Sequence, residues 1–269
     1  MTTYKMLAID LDDTLLNSQL QISERNKEYI QRAREAGVHV TLATGRMYCS
    51  ALRYARELEL NLPLITYQGA LVKEAVSGET LLHRPVPLDL AGQVIDRAKT
   101  LGYHVNVYVD DNLYVEKLTP EAETYQRISG ITAHPVGDLL KFLHRPPTKV
   151  LVVGGIKELD DLEQEMKHWF GNTLHITKSK PHFLEFSHPE ATKGHALDTL
   201  ARRWGLTPHQ VIAIGDAPND LEMLAYAGLG VVVENAKSQV KEKADYVTSS
   251  NDQDGVAEVI AKFILGSEG

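Results

Sequence analysis

Strand and helix patterns alternate over the first 70 residues, give way to another order near residue 85, and resume at Lys193. Alternation of this kind favours parallel strands joined by right-handed helical crossovers. The apolar runs 5–10 and 38–44 read as two such strands. The first is followed by a helix capped at Ser23 and stopped by Gly37, the second by a helix over 47–58. Residues 64–67 make a third short strand of the same sheet, and 70–73 with 80–83 flank Ser77-Gly78 as a hairpin. After Lys193 come a helix, a strand at 211–214, a helix from Asn219 and a strand at 229–233. A further helix, a short strand at 246–247 and a closing helix over 256–265 follow. The expected core is a doubly wound, mainly parallel, Rossmann-like α/β sheet.

Pro85 and Pro87 punctuate the chain where the alternation stops. Helices are expected over 88–101, from Thr119-Pro120 and over 158–170, with strands at 103–109, 113–115, 149–153, 174–178 and 183–186. Hairpins mixed with helices describe a separate α+β unit. The expected division is therefore 1–84 with 187–269 as one core and 85–186 as an insert. A length of 269 residues suits two units better than one.

Composition narrows the function classes. Apolar residues at 43% and charged residues at 24% are ordinary for a water-soluble globular chain. A formal net charge of −8 argues against a broad nucleic-acid-binding face or an anionic membrane surface. No apolar run approaches a membrane span, and Met1-Thr2-Thr3 leaves no room for a leader before the first strand. The single cysteine, Cys49, excludes an internal disulfide and reads as a packed thiol on a helix. A cytoplasmic protein, monomeric or weakly dimeric, is expected.

Four segments carry groups suited to chemistry. The run 6–15, MLAIDLDDTL, ends a strand in Asp10 and Asp12, two apart and so on one side of an extended chain. Open α/β sheets bind ligands at that carboxyl edge, although Asp12, Asp13 and Thr14 also suit an Asx turn or a helix cap. Ala43-Thr44-Gly45-Arg46 stands between a strand and a helix; Gly45 and free helix N–H groups favour a phosphate, and Thr44 equally suits an N-cap. Thr192-Lys193-Gly194 opens a helix with a lysine that opposes the helix dipole. Lys193 is either a solvated surface residue or the partner of a local anion. Gly215-Asp216-Ala217-Pro218-Asn219-Asp220 offers two hard oxygen donors that Mg²⁺ accepts, or helix caps. No GxxxxGK[ST], GxGxxG or G-x-S-x-G occurs. Together the four segments suit phosphoryl transfer, which rests on positioning and neutralisation of charge.

In these four motifs and their order the chain resembles the haloacid dehalogenase superfamily of aspartate-dependent phosphatases. The insert of about a hundred residues resembles the cap of its Cof-type subgroup. Gln68-Gly69-Ala70 stands where that subgroup more often shows Asn-Gly-Ala. The resemblance implies a Mg²⁺-dependent phosphomonoester hydrolase acting on a small phosphorylated metabolite: a sugar phosphate, nucleotide or phosphorylated cofactor. Asp10 would be the nucleophile and Asp12 the general acid and base. Asp10, Asp216 and the Asp12 carbonyl would bind the metal, with Asp220 beside it. Thr44, Gly45 and Lys193 would hold the phosphoryl group, with Asn219 orienting Lys193 or the phosphate. A phosphomutase and a non-catalytic phosphometabolite-binding regulator are the alternatives. Lys178, Lys180, His182, Glu185 and His188 are candidates for substrate discrimination within the insert.

Overall fold

The computed structural model describes residues 4–266. Residues 1–3, on which the expectation of no leader rests, lie outside the described residues. Two compact units are present, one built from the chain up to Leu82 and from Thr192 onward, the other His83–Ala191.

The first unit contains β1 (Met6–Ile9), α1 (Glu24–Glu35), β2 (His39–Leu42), α2 (Tyr48–Glu57), β3 (Pro63–Thr66), β4 (Leu71–Glu74) and β5 (Thr80–His83). It resumes with the helix Lys193–Arg203, then the strand Val211–Gly215, the helix Leu221–Tyr226 and the strand Leu229–Val233. Ser238–Lys241 is a helical turn, Tyr246–Thr248 a last strand, and Gly255–Val259 a helix that continues as a wider turn over Ile260–Leu265. The central sheet has five parallel strands, with β1 between β2 and Val211–Gly215. Every residue of β1 is fully buried, as a strand covered on both faces must be. Met6 and Ala8 pack with Ala196, Leu197, Leu200, Met223 and Leu224, so the helices on either side of Asp220 share a core with β1. Ser23 accepts from Asn26 N as the α1 cap, and Gly37 turns left-handed at φ +82°.

Two expectations are corrected here. The strand over 63–66 is not a full member of the parallel sheet: it pairs antiparallel with β4, in a separate sheet ordered β3-β4-β5. One parallel bridge, Ala43 to Ile65, ties it to the end of β2. A short run buried on both faces does not reveal its direction, and the following hairpin captures it. Cys49 is exposed rather than packed. The buried stripe of α2 runs through Tyr48, Ala51, Tyr54 and Ala55, which leaves position 49 facing out.

The second unit contains α3 (Leu88–Thr100), β6 (His104–Val109), β7 (Asn112–Val115), α4 (Pro120–Ser129), β8 (Ala133–Pro135), α5 (Leu139–Phe142), β9 (Lys149–Val153), α6 (Ile156–Phe170), β10 (His175–Lys180) and β11 (Phe183–Ser187). Its six strands lie in the order β10-β11-β9-β6-β7-β8 and are antiparallel except for β7 with β8. Val105, Val107, Val150, Val152, Leu184 and Phe186 alternate onto one face, against α3 and α6. The other face carries Asn106, Tyr108, Lys149 and Glu185, with Lys149 and Glu185 paired at 3.1 Å and both buried. The Tyr108 hydroxyl donates to that of Tyr125 at 2.6 Å. Among the described residues no helix is long and apolar enough to cross a membrane.

Candidate active site

Three adjacent strands of the parallel sheet deliver their following residues to one edge. Asp10 follows β1, Thr44 follows β2, and Asp216 follows Val211–Gly215. The chain order reverses direction beside β1, where open sheets leave a crevice at their carboxyl ends. Asp10 is anchored by its N–H on Ile214 O, at 3.0 Å.

Lys193 is the centre of the site. Its side chain has no exposed surface, and its Nζ donates to Asp10 Oδ1 at 2.5 Å and Asp220 Oδ1 at 2.6 Å. The solvated-surface reading of Lys193 is thus excluded, and the anions that a lysine in the first turn of a helix requires are these two carboxylates. Asp220 commits its other oxygen to the backbone N–H groups of Asp216 (3.1 Å) and Ala217 (3.0 Å), fixing the turn between strand and helix. Asp216 accepts from Thr14 Oγ1 at 2.8 Å. Neither Asp10 Oδ2 nor Asp216 Oδ2 takes a hydrogen bond from another described residue.

One carboxylate oxygen from each of Asp10, Asp216 and Asp220 lies within 4.8 Å of the others. Two of these carboxylates bind the Lys193 ammonium and the third, Asp216, stands beside them. Burial raises Asp10 well above the usual carboxylate range; Lys193 opposes this, and the charges of Asp220 and Asp216 add to it. Burial, then the charge of Asp220, pushes Asp216 up to about 6, against the Thr14 hydrogen bond. Burial alone would lower Lys193, but Asp10 and Asp220 outweigh it and hold its ammonium above the ordinary lysine value. The cluster carries surplus negative charge that a cation would relieve, and its all-oxygen donor set suits Mg²⁺. Asp220, with both oxygens engaged by protein donors, is the least available of the three to face a metal.

Asp12 takes a different direction. Leu11–Leu15 forms a single wide turn closed by Leu16 N on Leu11 O, with Asp13 left-handed at φ +57°. The Asp12 carboxylate stands outside the cluster and is gripped by Arg46, Nε to Oδ2 at 2.9 Å and Nη2 to Oδ1 at 2.6 Å. Arg46 in turn reaches the Tyr54 hydroxyl and lies over its ring at 5.2 Å. A bidentate fork of this kind fixes both oxygens at once. Arg46 belongs to a motif read for Thr44 and Gly45, and the sequence held no signal that its side chain would span to Asp12. Asn235 braces the same turn from outside, donating to Asp13 O at 2.7 Å.

Thr44 is fully buried and its Oγ1 accepts from Arg46 N at 3.1 Å, a local turn bond; it does not cap α2, whose N-cap position is Met47. A β-carbon at Gly45 would lie 2.4 Å from Gln68 Nε2, so the end of the Gln68 side chain occupies that place. Asn219 donates to Gln68 Oε1 at 2.9 Å, not to Lys193. In the insert, Lys178 pairs with Asp160, His182 with Gly154 O, Glu185 with Lys149, and His188 accepts from Glu190 N. Lys180 and His182 line a cavity of about 1050 Å³ together with His104, Tyr125 and Phe183.

The family described as haloacid dehalogenase-like hydrolase matches residues 7–260. Two Bacillus subtilis proteins named 5-amino-6-(5-phospho-D-ribitylamino)uracil phosphatase are similar. One is 32% identical over 289 residues, spanning 97% of this chain and 99% of its own length. The other is 32% identical over 266 residues, spanning 97% and 96%. Among solved structures, a haloacid dehalogenase-like hydrolase from Bacteroides thetaiotaomicron superposes with a TM-score of 0.89 at 33% identity, over 96% of this chain and 99% of that one. A Thermotoga maritima protein superposes at 0.88 and 33%, over 96% and 97%. With its motif residues gathered at one sheet edge and the match running through nearly its whole length, the chain belongs to the haloacid dehalogenase-like hydrolases, of the Cof-type subgroup.

Proposed function

We propose that the protein is a Mg²⁺-dependent phosphatase that hydrolyses a small phosphorylated metabolite through an aspartyl phosphate on Asp10. The observation that carries the reading is the buried ammonium of Lys193 bridging Asp10 and Asp220 beside Asp216, at the edge where Thr44 and Gly45 also end. Asp10 and Asp216 would hold the metal, which when bound supplies neutralisation of phosphoryl charge. An Asp10 oxygen attacks phosphorus, the bond to the leaving alcohol breaks, and Asp12 gives that alcohol its proton. Asp12 then takes a proton from water, which attacks phosphorus and releases Asp10. Two easier steps replace one difficult displacement. Arg46 holds both Asp12 oxygens by one bond each, and the half-exposed carboxylate keeps a lone pair on each with which to meet a leaving group.

The relatives named for a phosphoribitylaminouracil support a phosphorylated polyol or sugar as the substrate class. The insert, with its cavity of about 1050 Å³, is the unit proposed to recognise the part beyond the phosphate. Residues 85–186 would then set discrimination, and none of the groups assigned to the chemistry lies among them.

Two measurements test the reading. Hydrolysis of p-nitrophenyl phosphate should require Mg²⁺ and stop in excess chelator, and Mg²⁺ alone should raise the melting temperature of the metal-free protein. Full activity in chelator would remove the metal from the reading. Asp12→Asn should slow alkyl phosphates by roughly 10²–10⁴-fold, the usual worth of acid–base catalysis, and slow activated aryl phosphates much less. Equal losses along a leaving-group series would remove Asp12 as the acid.

A further inference from the structure

The loop over residues 67–69 was no part of the site anticipated from the motifs, yet it touches three of them. Its three residues are all left-handed, Tyr67 at φ +51°, Gln68 at +59° and Gly69 at +100°. Two consecutive non-glycine residues in that region are costly to hold, and such strain persists where the surroundings fix it. The surroundings here are the motif loops themselves. Tyr67 N donates to Arg46 O at 2.9 Å and Gln68 N to Thr44 O at 3.1 Å. Gly69 stands so close to the helix carrying Lys193 that a β-carbon would lie 2.1 Å from Thr192 O. The Gln68 side chain reaches the remaining loop, accepting from Asn219 at 2.9 Å.

That last bond decides what the amide offers. With Oε1 accepting from Asn219, Nε2 is a donor, and among the described residues it finds no hydrogen-bond acceptor. It lies over Gly45, in the space that a β-carbon of residue 45 would fill. Resting on the proposed function, we propose that Gln68 is a phosphoryl-binding residue of this site. Its Nε2 donates to an oxygen of the bound phosphoryl group beside the Gly45 N–H, and Asn219 orients it. Gly45 is then glycine because the amide occupies the place of a side chain. Asn219 acts on the phosphate through Gln68, a route the motif alone did not suggest.

The probe is inorganic phosphate, measured as a competitive inhibitor of p-nitrophenyl phosphate hydrolysis and by its thermal shift of the whole protein. Gln68→Glu keeps the length and replaces the donor with an acceptor. It should raise the phosphate inhibition constant at least about tenfold, the scale of a lost bond to a charged group, with the melting temperature unchanged. Gln68→Asn keeps the amide and tolerates a left-handed backbone, but is one methylene short; it should fall between the two. Asn219→Ala should weaken phosphate in the same direction, and adding it to Gln68→Glu should cost nothing further, because the two act as one unit. A Gln68→Glu enzyme that folds and binds phosphate within twofold of the parent would overturn the assignment. So would additive losses in the double variant. A parent that neither hydrolyses any phosphomonoester nor binds phosphate would overturn the function as well, which separates the two failures.

Discussion

Asp10→Asn is expected to abolish turnover while leaving the fold as stable as the parent or more so. The loss in kcat should be at least about 10³-fold, or roughly 4 kcal/mol of barrier at 1.36 kcal/mol per decade, because the attacking oxygen and its charge both disappear. The stability prediction follows from the charge count around Lys193. Asp10, Asp216 and Asp220 form one cluster with a single ammonium, and burial with mutual repulsion raises Asp10 and Asp216 above the usual carboxylate range. An asparagine at position 10 can still accept from Lys193 through its Oδ1, and Lys193 keeps its bond to Asp220 at 2.6 Å. One carboxylate is thus removed from a site with too many, while the Lys193 ammonium keeps both of its acceptors. Thermal melting of the metal-free proteins reads the second effect and single-turnover hydrolysis the first. Near-parental turnover would dismiss Asp10 as nucleophile; a sharply lower melting temperature would mean that its charge is needed for folding.

How much of this was legible beforehand can be judged residue by residue. The parallel core was legible because β1 and its neighbour Val211–Gly215 are apolar without alternation, which a strand covered on both faces demands. Placing Asp10 and Asp216 together needed only that both follow such strands. Lys193 could be flagged from its clash with the helix dipole, but its partners needed the fold. Asp12 was harder. The period of two that places residues 10 and 12 on one side holds along a strand, and β1 ends at Ile9. Beyond it the chain enters the wide turn with Asp13 left-handed, and Arg46, 34 residues away, takes the carboxylate. Gln68 was harder still, since its neighbour Tyr67 is a residue type that rarely adopts positive φ. Only the direction of the 67–69 backbone shows that this side chain meets Asn219. The antiparallel pairing of β3 was hidden for a different reason: burial on both faces is the same whichever way the partner runs.

Lys193→Met is expected to damage both activity and folding, and to separate them by metal. Methionine is unbranched and of similar volume, one heavy atom shorter than lysine, so the packing of Lys193–Arg203 on its neighbours should survive. What is lost is, among the described residues, the only ammonium paired with these carboxylates, and Asp10 and Asp220 each lose a bond of 2.6 Å or less. Breaking a buried ion pair by removing one partner typically costs about 3–5 kcal/mol, because the other charge stays buried and uncompensated. The metal-free variant should therefore melt well below the parent, and more so as pH rises. The sign follows from the carboxylates. Asp10 and Asp216 already lie above their unfolded values with Lys193 present, so without it they lie higher still. A group raised in the folded state contributes stability that is lost as pH climbs through its folded pKa. Mg²⁺ should restore much of the melting temperature by replacing the missing charge, yet not the turnover, because the donor fixed beside the Asp10 nucleophile remains absent. A variant whose stability is independent of pH between 4 and 8 would show that Lys193 does not neutralise this cluster. One that regains full turnover with Mg²⁺ would show that its role is charge alone.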